Sequence, residues 1–306
     1  MDVRMKFYKK GEVKMTLSIG LNLFSVFREL NEDYFGTLEK VAEMGYQNIE
    51  LISSNFSTGE RFADTFTLPV IKKKLDELGL NAFAAHEGVA PGKSLIEGNW
   101  DKIIEENAAL GCQSIVFPMA FISGSEDTLQ TAEHLNVIGN KCKESGLDFY
   151  YHNHAHEFKR IGESSLFDLL VENTDPGLVK FELDLVWVMR GGYNPISVLE
   201  KLGNRCDMIH QKDLGTHVDP INIFTALSEE NNEDTMKLYS EVVKPTDFVN
   251  LATGIMNFEE TYQKLNELEI VRYAIVENEG QQGNKFTSIA SDLKVMEKYL
   301  QGLIKN

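Results

Sequence analysis

The sequence of 306 residues predicts an α/β protein, a single (β/α)8 barrel in which eight parallel strands alternate with eight helices. The main observation is a repeat in which a helix-patterned segment ends at a glycine and a short β-rich run follows at once. The four clearest of these glycines are Gly45, Gly79, Gly111 and Gly146. Their intervals of 34, 32 and 35 residues fit one strand, one helix and two short loops, the unit of a parallel sheet with crossover helices.

The second observation is the number of β-rich runs. They predict strands at residues 16–20, 48–51, 82–85, 115–117, 149–151, 179–183, 207–209 and 272–276. Eight strands are the number that a closed barrel requires. The competing doubly wound open sheet should carry a GxGxxG loop after its first strand, and the run from Ser18 to Leu23 contains none.

The helices between these strands are indicated by capping residues and by apolar residues at helical spacing. One helix begins after Asn99, an N-cap candidate, and carries an apolar stripe from Trp100 onward. A later helix has Asn194 as its cap and Pro195 at its first position. The closing helix presents Phe286, Ile289, Leu293, Met296 and Leu300 at helical spacing.

We expect one domain over residues 1–306, because no linker or shift in composition divides the chain. Residues 1–15 are predicted to be an N-terminal extension. Residues 214–250 are predicted to be an insertion after strand 7, because this stretch is too long for a routine loop. It lies where an active-site lid or a partner contact would lie, so deleting its tip near Asn231 and Asn232 should alter substrate range or a partner contact more than folding.

Composition excludes several classes of protein. The formal net charge of −17 opposes an electrostatic hold on nucleic acid. No apolar run approaches the roughly 20 residues of a membrane helix, and no signal-peptide pattern follows the basic start, so we expect a cytoplasmic protein that binds neither membrane nor nucleic acid. Cys112, Cys142 and Cys206 are far apart without a CxxC pair, which predicts free buried thiols.

Ionisable side chains follow the last four predicted strands. They are His152, His154 and Glu157 after the fifth, Asp184 after the sixth, His210 and Lys212 after the seventh, and Glu277 after the eighth. In a (β/α)8 barrel the carboxyl ends of the strands form one mouth, where the chemistry takes place. Imidazoles mixed with carboxylates suit a divalent transition ion such as Mn²⁺, Co²⁺, Fe²⁺ or Zn²⁺, so a metal site is the economical hypothesis.

Other polar and aromatic residues near the mouth leave two interpretations open. His86, which closes the third strand, is either a core histidine or a substrate contact. Trp187 is either a core residue or a platform for a sugar ring. His156 and Glu182 are each out of phase with a neighbour and are predicted to lie at the surface or between layers.

A metal that bridges a carbonyl and a neighbouring hydroxyl stabilises the enediolate that forms when a proton leaves the carbon between them. A base and an acid must flank that carbon, and imidazoles and carboxylates at the mouth can supply them. Returning the proton elsewhere gives isomerisation or epimerisation. Expelling a β-substituent from the same intermediate gives elimination, so an isomerase and a lyase share one site design.

At these residues the chain resembles the xylose isomerase-like TIM barrel superfamily, which is described broadly as sugar phosphate isomerase/epimerase. The motifs that carry the resemblance are Tyr-His-Asn-His at 151–154 with Glu-Phe at 157–158, Lys-Phe-Glu-Leu-Asp at 180–184, His-Gln-Lys-Asp at 210–213 and Val-Glu-Asn at 276–278. The resemblance implies that Asp184, His210 and Glu277 are metal ligands and that Glu277 also acts as acid/base. Epimerase relatives have a glutamate where this chain has His152. Either His152 binds the metal, or Glu157 does so and frees His152 and His154 for proton transfer; we favour the second.

The resemblance also implies the substrate class. A divalent metal, Mn²⁺ by preference and Co²⁺, Fe²⁺, Zn²⁺ or Mg²⁺ as alternatives, would support alpha-proton abstraction from a keto-sugar or cyclitol, as an isomerase/epimerase. The alternative is a lyase or dehydratase, because the Tyr-His-Asn-His subgroup is similar to inosose dehydratases, to 3-keto-glycoside lyases and to the large subunit of C-glycoside deglycosidases. His86, Trp187 and Lys212 are expected to contact the substrate.

A non-catalytic sugar-binding barrel is a minor alternative. Phosphodiester cleavage of the endonuclease IV type is opposed by the acidic composition. For assembly we expect a homo-oligomer, or a hetero-oligomer with a small second subunit.

Overall fold

Eight parallel strands close into a barrel in which each strand pairs with its neighbours in chain order, and this confirms the predicted fold class. The computed structural model describes residues 8–9, 12–13, 17–55, 57–89, 93–223, 225, 235–280 and 283–304. The barrel strands are β1 Ser18–Asn22, β2 Asn48–Ile52, β3 Asn81–His86, β4 Ser114–Phe117, β5 Asp148–His152, β6 Lys180–Asp184, β7 Met208–Gln211 and β8 Tyr273–Val276. Pairing of Val276 with Leu21 joins β8 to β1 and closes the ring.

Helices follow the strands on the outside of the barrel. They are α1 Phe27–Glu32, α2 Tyr34–Glu43, α3 Phe62–Phe66, α4 Leu68–Leu78, α5 Trp100–Leu110, α6 Ser125–Glu144, α7 Leu166–Asn173, α8 Leu185–Arg190, α9 Pro195–Leu202, α10 Thr235–Val242, α11 Phe258–Leu268 and α12 Lys285–Ile304. Two-residue strands also pair antiparallel outside the barrel, Tyr8–Lys9 with Glu12–Val13 and Arg160–Ile161 with Ser164–Ser165. No helix in the described ranges is both long and apolar enough to span a bilayer.

Local sequence accounts for many of the helix ends. Gly79 and Gly111 end α4 and α5 with φ of +66° and +92°, a left-handed conformation that glycine adopts without steric cost. The side chains of Asn99 and Asn194 accept hydrogen bonds from backbone amides in the first turns of α5 and α9, as predicted. The predicted strand ends are less accurate: β1 begins at Ser18, where its pairing with Tyr273 of β8 begins, and continues to Asn22 rather than ending at Gly20.

The barrel interior changes from apolar to polar along the strands. Tyr150 and Met208 belong to an apolar cluster, and they precede His152 and His210 by two residues on the same strands. Side chains two residues apart share one face of a strand, so all four point to the same side of the sheet. The alternation therefore places a polar layer at the carboxyl end of the barrel above an apolar plug.

The predicted insertion, residues 214–250, packs on the barrel mouth where it is described. An antiparallel bridge joins Leu214 to Phe248 at its two ends. The carboxylate of Asp213 accepts hydrogen bonds from the amides of Leu214, Gly254 and Met256, which ties the start of the insertion to the segment that follows it. Residues 224 and 226–234, including the tip at 231–232, lie outside the described residues.

Two further predictions concern the cysteines and the N-terminal residues. The three cysteines at 112, 142 and 206 are free and buried, as predicted. Of the predicted N-terminal extension over residues 1–15, only 8–9 and 12–13 are described, as the short antiparallel pair.

Replacing Gly139 in the middle of α6 tests the packing of the outer layer. A Cβ at this position would lie 2.5 Å from the carbonyl oxygen of Leu178. Alanine normally stabilises a helix interior by about 1 kcal/mol relative to glycine, but overpacking against backbone costs about 1–3 kcal/mol. Gly139→Ala should therefore lower the free energy of unfolding by a net amount of up to about 2 kcal/mol. Urea unfolding monitored by circular dichroism measures the change.

Gly88→Ala is the matched control, because a Cβ there meets no atom within 4 Å. A Gly139→Ala protein at least as stable as the parent would contradict the packing of α6 against Leu178.

Candidate active site

Four side chains from consecutive strands converge at the barrel mouth. His152 ends β5, Asp184 ends β6, His210 lies in β7 and Glu277 directly follows β8. Each offers one ligand atom, these atoms all lie within 4.8 Å of one another, and all four residues are buried. We call these four residues the ligand group. The predicted metal ligands Asp184, His210 and Glu277 are thus brought together, with His152 as the fourth member.

Hydrogen bonds to backbone orient Asp184 within the ligand group. Asp184 is the N-cap of α8, and its Oδ1 accepts a hydrogen bond from the amide of Trp187 at 2.9 Å. Asn153 binds the same residue from β5, because its Oδ1 accepts from the amide of Asp184 at 2.9 Å. The cap engages Oδ1 and leaves Oδ2 buried without a hydrogen bond. Asn153 therefore ties the end of β5 to the end of β6.

Two further carboxylates, Glu50 from β2 and Glu182 from β6, lie beneath the ligand group, and we call them the inner carboxylates. Glu182 Oε2 is 3.0 Å from His152 Nδ1 and 3.1 Å from His210 Nε2. Glu50 Oε2 is 2.8 Å from the same His210 nitrogen and accepts a hydrogen bond from Asn22 Nδ2 at 2.7 Å. Both carboxylates have zero exposure.

The inner carboxylates select the ring nitrogens that face the ligand group. The inner carboxylates accept hydrogen bonds from His152 Nδ1 and His210 Nε2. The opposite nitrogens, His152 Nε2 and His210 Nδ1, therefore face Asp184 and Glu277 respectively. Histidine ligands of metals commonly donate their second N–H to a carboxylate in this way. A second set, His86, His152, Glu182 and His210, also has ligand spacing. We interpret Glu182, the one inner carboxylate in this set, as an orienting group.

The donor set of the ligand group fits a divalent transition ion. Two imidazoles and two carboxylates are the mixed nitrogen and oxygen donors that such an ion accepts. Asp184 Oδ2 is buried and has no hydrogen bond of good geometry; its charge is offset by the Lys212 ammonium 3.0 Å away, and the oxygen keeps lone pairs that a cation could use. The side chains present therefore match a cation in charge and in donor type.

Lys212 supplies a fixed positive charge beside the ligand group. Its Nζ lies 3.0 Å from Asp184 Oδ2 and 2.9 Å from Glu277 Oε2, and it also donates to Glu279. Burial alone would lower the pKa of Lys212, but these carboxylates outweigh burial and hold the pKa well above its usual value. Lys212 therefore remains an ammonium group.

The buried carboxylates raise the pKa values of two histidines at the mouth, His210 and His86. Burial favours neutral rings, yet Glu182, Glu50 and Glu277 raise the pKa of His210 well above its usual value. The pKa of His86 rises to about 9 beside Glu50 and Glu182, also against the effect of burial. His210 therefore holds two protons in the absence of a cation, and cation binding requires loss of its Nδ1 proton.

His154 differs from these rings because no residue in the described part of the chain makes a hydrogen bond with its Nδ1. Burial, followed by unfavourable electrostatics with the His152 ring and the Lys212 ammonium, holds the pKa of His154 well below its usual value. Its Nδ1 is buried without a hydrogen-bond partner, and its ring stacks on Trp187 with centroids 5.2 Å apart. The result is a neutral imidazole with an unused nitrogen next to the ligand group.

Glu157, the residue favoured from sequence as the fifth-strand ligand, lies outside the ligand group. Its Oε1 accepts a hydrogen bond from the Tyr151 hydroxyl at 2.7 Å, and its Oε2 accepts one from the amide of His154 at 3.0 Å. Both oxygens are thus engaged in closing the turn after β5. The structure brings His152 to the ligand group instead, which is the alternative that sequence reasoning placed second.

The prediction that Glu182 lies at the surface or between layers is wrong, and so is the surface alternative for His156. Glu182 has zero exposure and contacts the ligand histidines, while His156 is 1% exposed and contacts the insertion. Sequence reasoning also missed Glu50 as part of the site. Its signal was a carboxylate between Ile49 and Leu51 in an apolar strand, a position where an unpartnered charge is costly.

The three residues predicted to contact substrate all border the ligand group. His86 Nε2 lies 3.1 Å from Glu182 Oε2, and its side chain is 12% exposed. Trp187 is buried, and Lys212 Nζ lies 5.2 Å from the centroid of its ring. Their contact with substrate stays a prediction.

Comparison with known proteins agrees with this architecture. The sequence profile of the xylose isomerase-like TIM barrel family matches residues 38–299. An inosose dehydratase of Geobacillus kaustophilus (strain HTA426) is 29% identical over 268 residues, which cover 79% of each chain. Further inosose dehydratases, such as one of Clostridium perfringens, align over about half of their own length.

Solved structures share the fold over nearly the whole chain. A sugar phosphate isomerase/epimerase from Parabacteroides distasonis ATCC 8503 superposes with a TM-score of 0.71 at 23% identity, covering 98% of this chain and 99% of the other. The IOLI protein, crystallised with a zinc atom, superposes with a TM-score of 0.66 at 13% identity and covers 95% of this chain and all of its own. At these identities the likeness establishes the fold alone.

Replacing Glu182 tests the orienting role of the inner carboxylates. Glu182→Gln keeps the size of the side chain but removes the charge that accepts protons from His152 and His210. Loss of such an outer partner typically weakens metal binding about 10–100-fold, and we expect that range for Mn²⁺ or Zn²⁺ by isothermal titration calorimetry. Glu172→Gln, the same change on an exposed helix position, should leave affinity unchanged. Equal affinities in the two variants would refute the orienting role.

Two substitutions on the fifth-strand segment separate the candidate ligands. Glu157→Gln keeps one oxygen to accept from the His154 amide, and its NH2 can donate to the Tyr151 hydroxyl, so this variant should retain metal at the parent stoichiometry. His152→Ala removes a donor from the ligand group and should weaken binding by more than the roughly 10–100-fold of an outer change. Elemental analysis after dialysis measures both. Metal lost from Glu157→Gln but retained by His152→Ala would reverse the assignment.

Proposed function

The chain belongs to the xylose isomerase-like TIM barrel family, and from this premise we propose that it is a divalent-metal-dependent enzyme that removes the proton alpha to the carbonyl of a keto-sugar or cyclitol. The observation that carries the proposal is the ligand group with the unused Nδ1 of His154 beside it. Ligand donors and an unprotonated imidazole are the two parts that such proton abstraction requires.

His154 is the proposed base. A base must be unprotonated at working pH, and burial together with unfavourable electrostatics keeps this ring neutral. Stacking on Trp187 and the hydrogen bond from its own amide to Glu157 hold the residue in place. We assign His152 and Glu277 to metal binding, because both lie in the ligand group. A bound divalent ion would stabilise the negative charge that develops on the substrate oxygen.

Lys212 is the proposed donor to a substrate oxygen. Its charge is held by Asp184, Glu277 and Glu279, so it offers a permanent positive charge rather than a titrating acid. An ammonium group placed where negative charge develops stabilises the transition state without reorganising. We further propose that His86, which lies at the same mouth and is partly exposed, contacts substrate hydroxyls.

We favour elimination of a β-substituent, water in the simplest case, as the fate of the enolate. The support is twofold: the aligned relatives are named inosose dehydratases, and the fifth strand carries His152 where epimerase relatives carry a glutamate. A site with one free base suits a reaction that removes a proton and does not return it to the opposite face of the same carbon.

Isomerisation or epimerisation is the second candidate. It is supported by the presence of a base, His154, and an ammonium group, Lys212, beside one ligand group. Proton return from Lys212 would require its ammonium to act as an acid, which the three surrounding carboxylates oppose. This electrostatic cost is the reason for placing elimination first.

Proton NMR in D2O of the metal-loaded protein tests the proposal. The substrates are a keto-inositol, neutral ketohexoses and 3-keto-glucosides. Loss of the alpha-proton signal with release of water or aglycone is the expected result and establishes a lyase. Exchange with a rearranged sugar would establish the second candidate, and no exchange with any substrate would refute both for these substrate classes.

His154→Ala tests the base directly. Removing a general base typically slows proton transfer about 10²–10⁴-fold, and we expect alpha-proton exchange to fall in that range while metal stoichiometry stays at the parent value. His134→Ala on the outer helix α6 is the control and should exchange at the parent rate. Undiminished exchange in His154→Ala would remove His154 from the mechanism.

The identity of the metal and the assembly remain part of the proposal. Mn²⁺ is our first choice, and elemental analysis of protein purified without chelator decides among Mn²⁺, Co²⁺, Fe²⁺, Zn²⁺ and Mg²⁺. Light scattering measures the mass of the purified protein, and so distinguishes a homo-oligomer from a monomer that would assemble only with a small second subunit.

A further inference from the structure

The insertion after β7 reaches the turn that carries the proposed base. Tyr239 lies on α10, within the insertion, and its hydroxyl accepts hydrogen bonds from the amides of Ala155 at 2.8 Å and His156 at 3.1 Å. These amides directly follow His154. A side chain that is about 84 positions away in sequence thus holds the backbone next to the base.

The hydroxyl of Tyr239 also contacts the His156 ring. His156 Nε2 lies 2.6 Å from the carbonyl oxygen of Ala120, so that nitrogen carries a proton. His156 Nδ1 lies 3.2 Å from the Tyr239 oxygen and 3.3 Å from Glu157 Oε2, so the ring stands between the insertion and the residue that binds the His154 amide. The tyrosine oxygen therefore accepts hydrogen bonds from two backbone amides and also lies within hydrogen-bond distance of the His156 ring.

The rings of the insertion extend the same support to the side chain of His154. Trp187, on which His154 stacks, contacts Tyr239 at 5.8 Å and Phe248 at 5.4 Å between ring centroids. The Tyr239 ring itself lies 6.2 Å from the His154 ring. Backbone and ring of the base thus both rest on residues of the insertion.

The insertion is itself anchored to the barrel by a buried charge. Arg190 at the end of α8 has zero exposure and donates from Nη2 to Asn222 Oδ1 and Asp247 Oδ2, each at 3.1 Å. Both acceptors belong to the insertion. Breaking a buried ion pair leaves an uncompensated charge, so this contact resists separation of the insertion from α8.

We propose that Tyr239 is a positioning residue for His154, so that the insertion after β7 is a structural part of the active site. Tyr239 touches neither the ligand group nor a proton in transfer. Its loss should act on the rate of proton transfer and leave metal and substrate affinity nearly unchanged. The inference rests on the proposed function of His154 as the base.

Tyr239→Phe is the test, with Tyr46→Phe as the matched control, because Tyr46 is buried and its hydroxyl donates to the carbonyl of Ile289 away from the mouth. Displacement of a catalytic group by about 1 Å can cost about a hundredfold in rate, so we expect Tyr239→Phe to lower kcat about 10–100-fold, with KM and metal stoichiometry within about twofold of the parent. Tyr46→Phe should keep the parent kcat.

Two measurements keep this inference separate from the proposed function. In ¹⁵N-histidine spectra, the His154 and His156 ring signals should shift in Tyr239→Phe and not in Tyr46→Phe, whether or not a substrate is turned over. In the parent protein the backbone amides of Ala155 and His156 should exchange slowly with solvent, because both donate to the Tyr239 hydroxyl. This measurement does not depend on whether Tyr239→Phe folds. Unshifted ring signals, unprotected amides or a kcat within twofold of the parent would each overturn the positioning role, while an inactive parent with shifted signals would overturn only the proposed reaction.

Discussion

The concentration of carboxylates inside the barrel mouth is the constraint on which the site depends. Glu50, Glu182 and Asp184 have zero exposure and Glu277 is 6% exposed, so four acids share a small volume without water to screen them. Charges buried in this way must be paired. Lys212 and the protonated histidines provide part of the compensation, and a divalent ion in the ligand group would provide more. The same carboxylates raise the pKa of His210 and His86 and so keep these rings protonated. His154 has no ion pair with a carboxylate in the described part of the chain, and its ring stays neutral.

The barrel strands fix the positions of the four residues of the ligand group. Each ligand lies at or next to the end of a barrel strand, and the pairing of neighbouring strands places Asp184 level with His210. Hydrogen bonds to these side chains then determine which oxygen of the carboxylate and which nitrogen of each imidazole is available to a cation. The helix cap engages one oxygen of Asp184 and the inner carboxylates engage one nitrogen of each ligand histidine, so the remaining atom of each faces its partners in the ligand group. The insertion completes this arrangement from outside the strand repeat.

Much of the fold was predictable because it repeats. A strand, a helix and a glycine recur at nearly constant intervals, and each signal is local, so errors were confined to one or two residues at strand ends. Asp184, His210 and Glu277, which the structure brings together in the ligand group, were inferred from polar residues at strand ends together with the family resemblance. The orienting residues were not inferred. Glu182 was assigned to the surface or to an interlayer position, and Glu157 was preferred over His152, because sequence spacing does not tell which oxygen or nitrogen already has a partner.

The sequence by itself determined the barrel, the end of it that carries ionisable residues and the types of donor available there. These follow from strand alternation, helix caps and composition, which act over a few residues. Only the tertiary structure decided which donors meet, which ring nitrogens face the ligand group and which imidazole stays neutral. Those outcomes depend on contacts between residues such as Glu50 and His210, or Tyr239 and Ala155, that are far apart in the chain. Burial and charge act through space, and closure of the barrel is what brings these groups together.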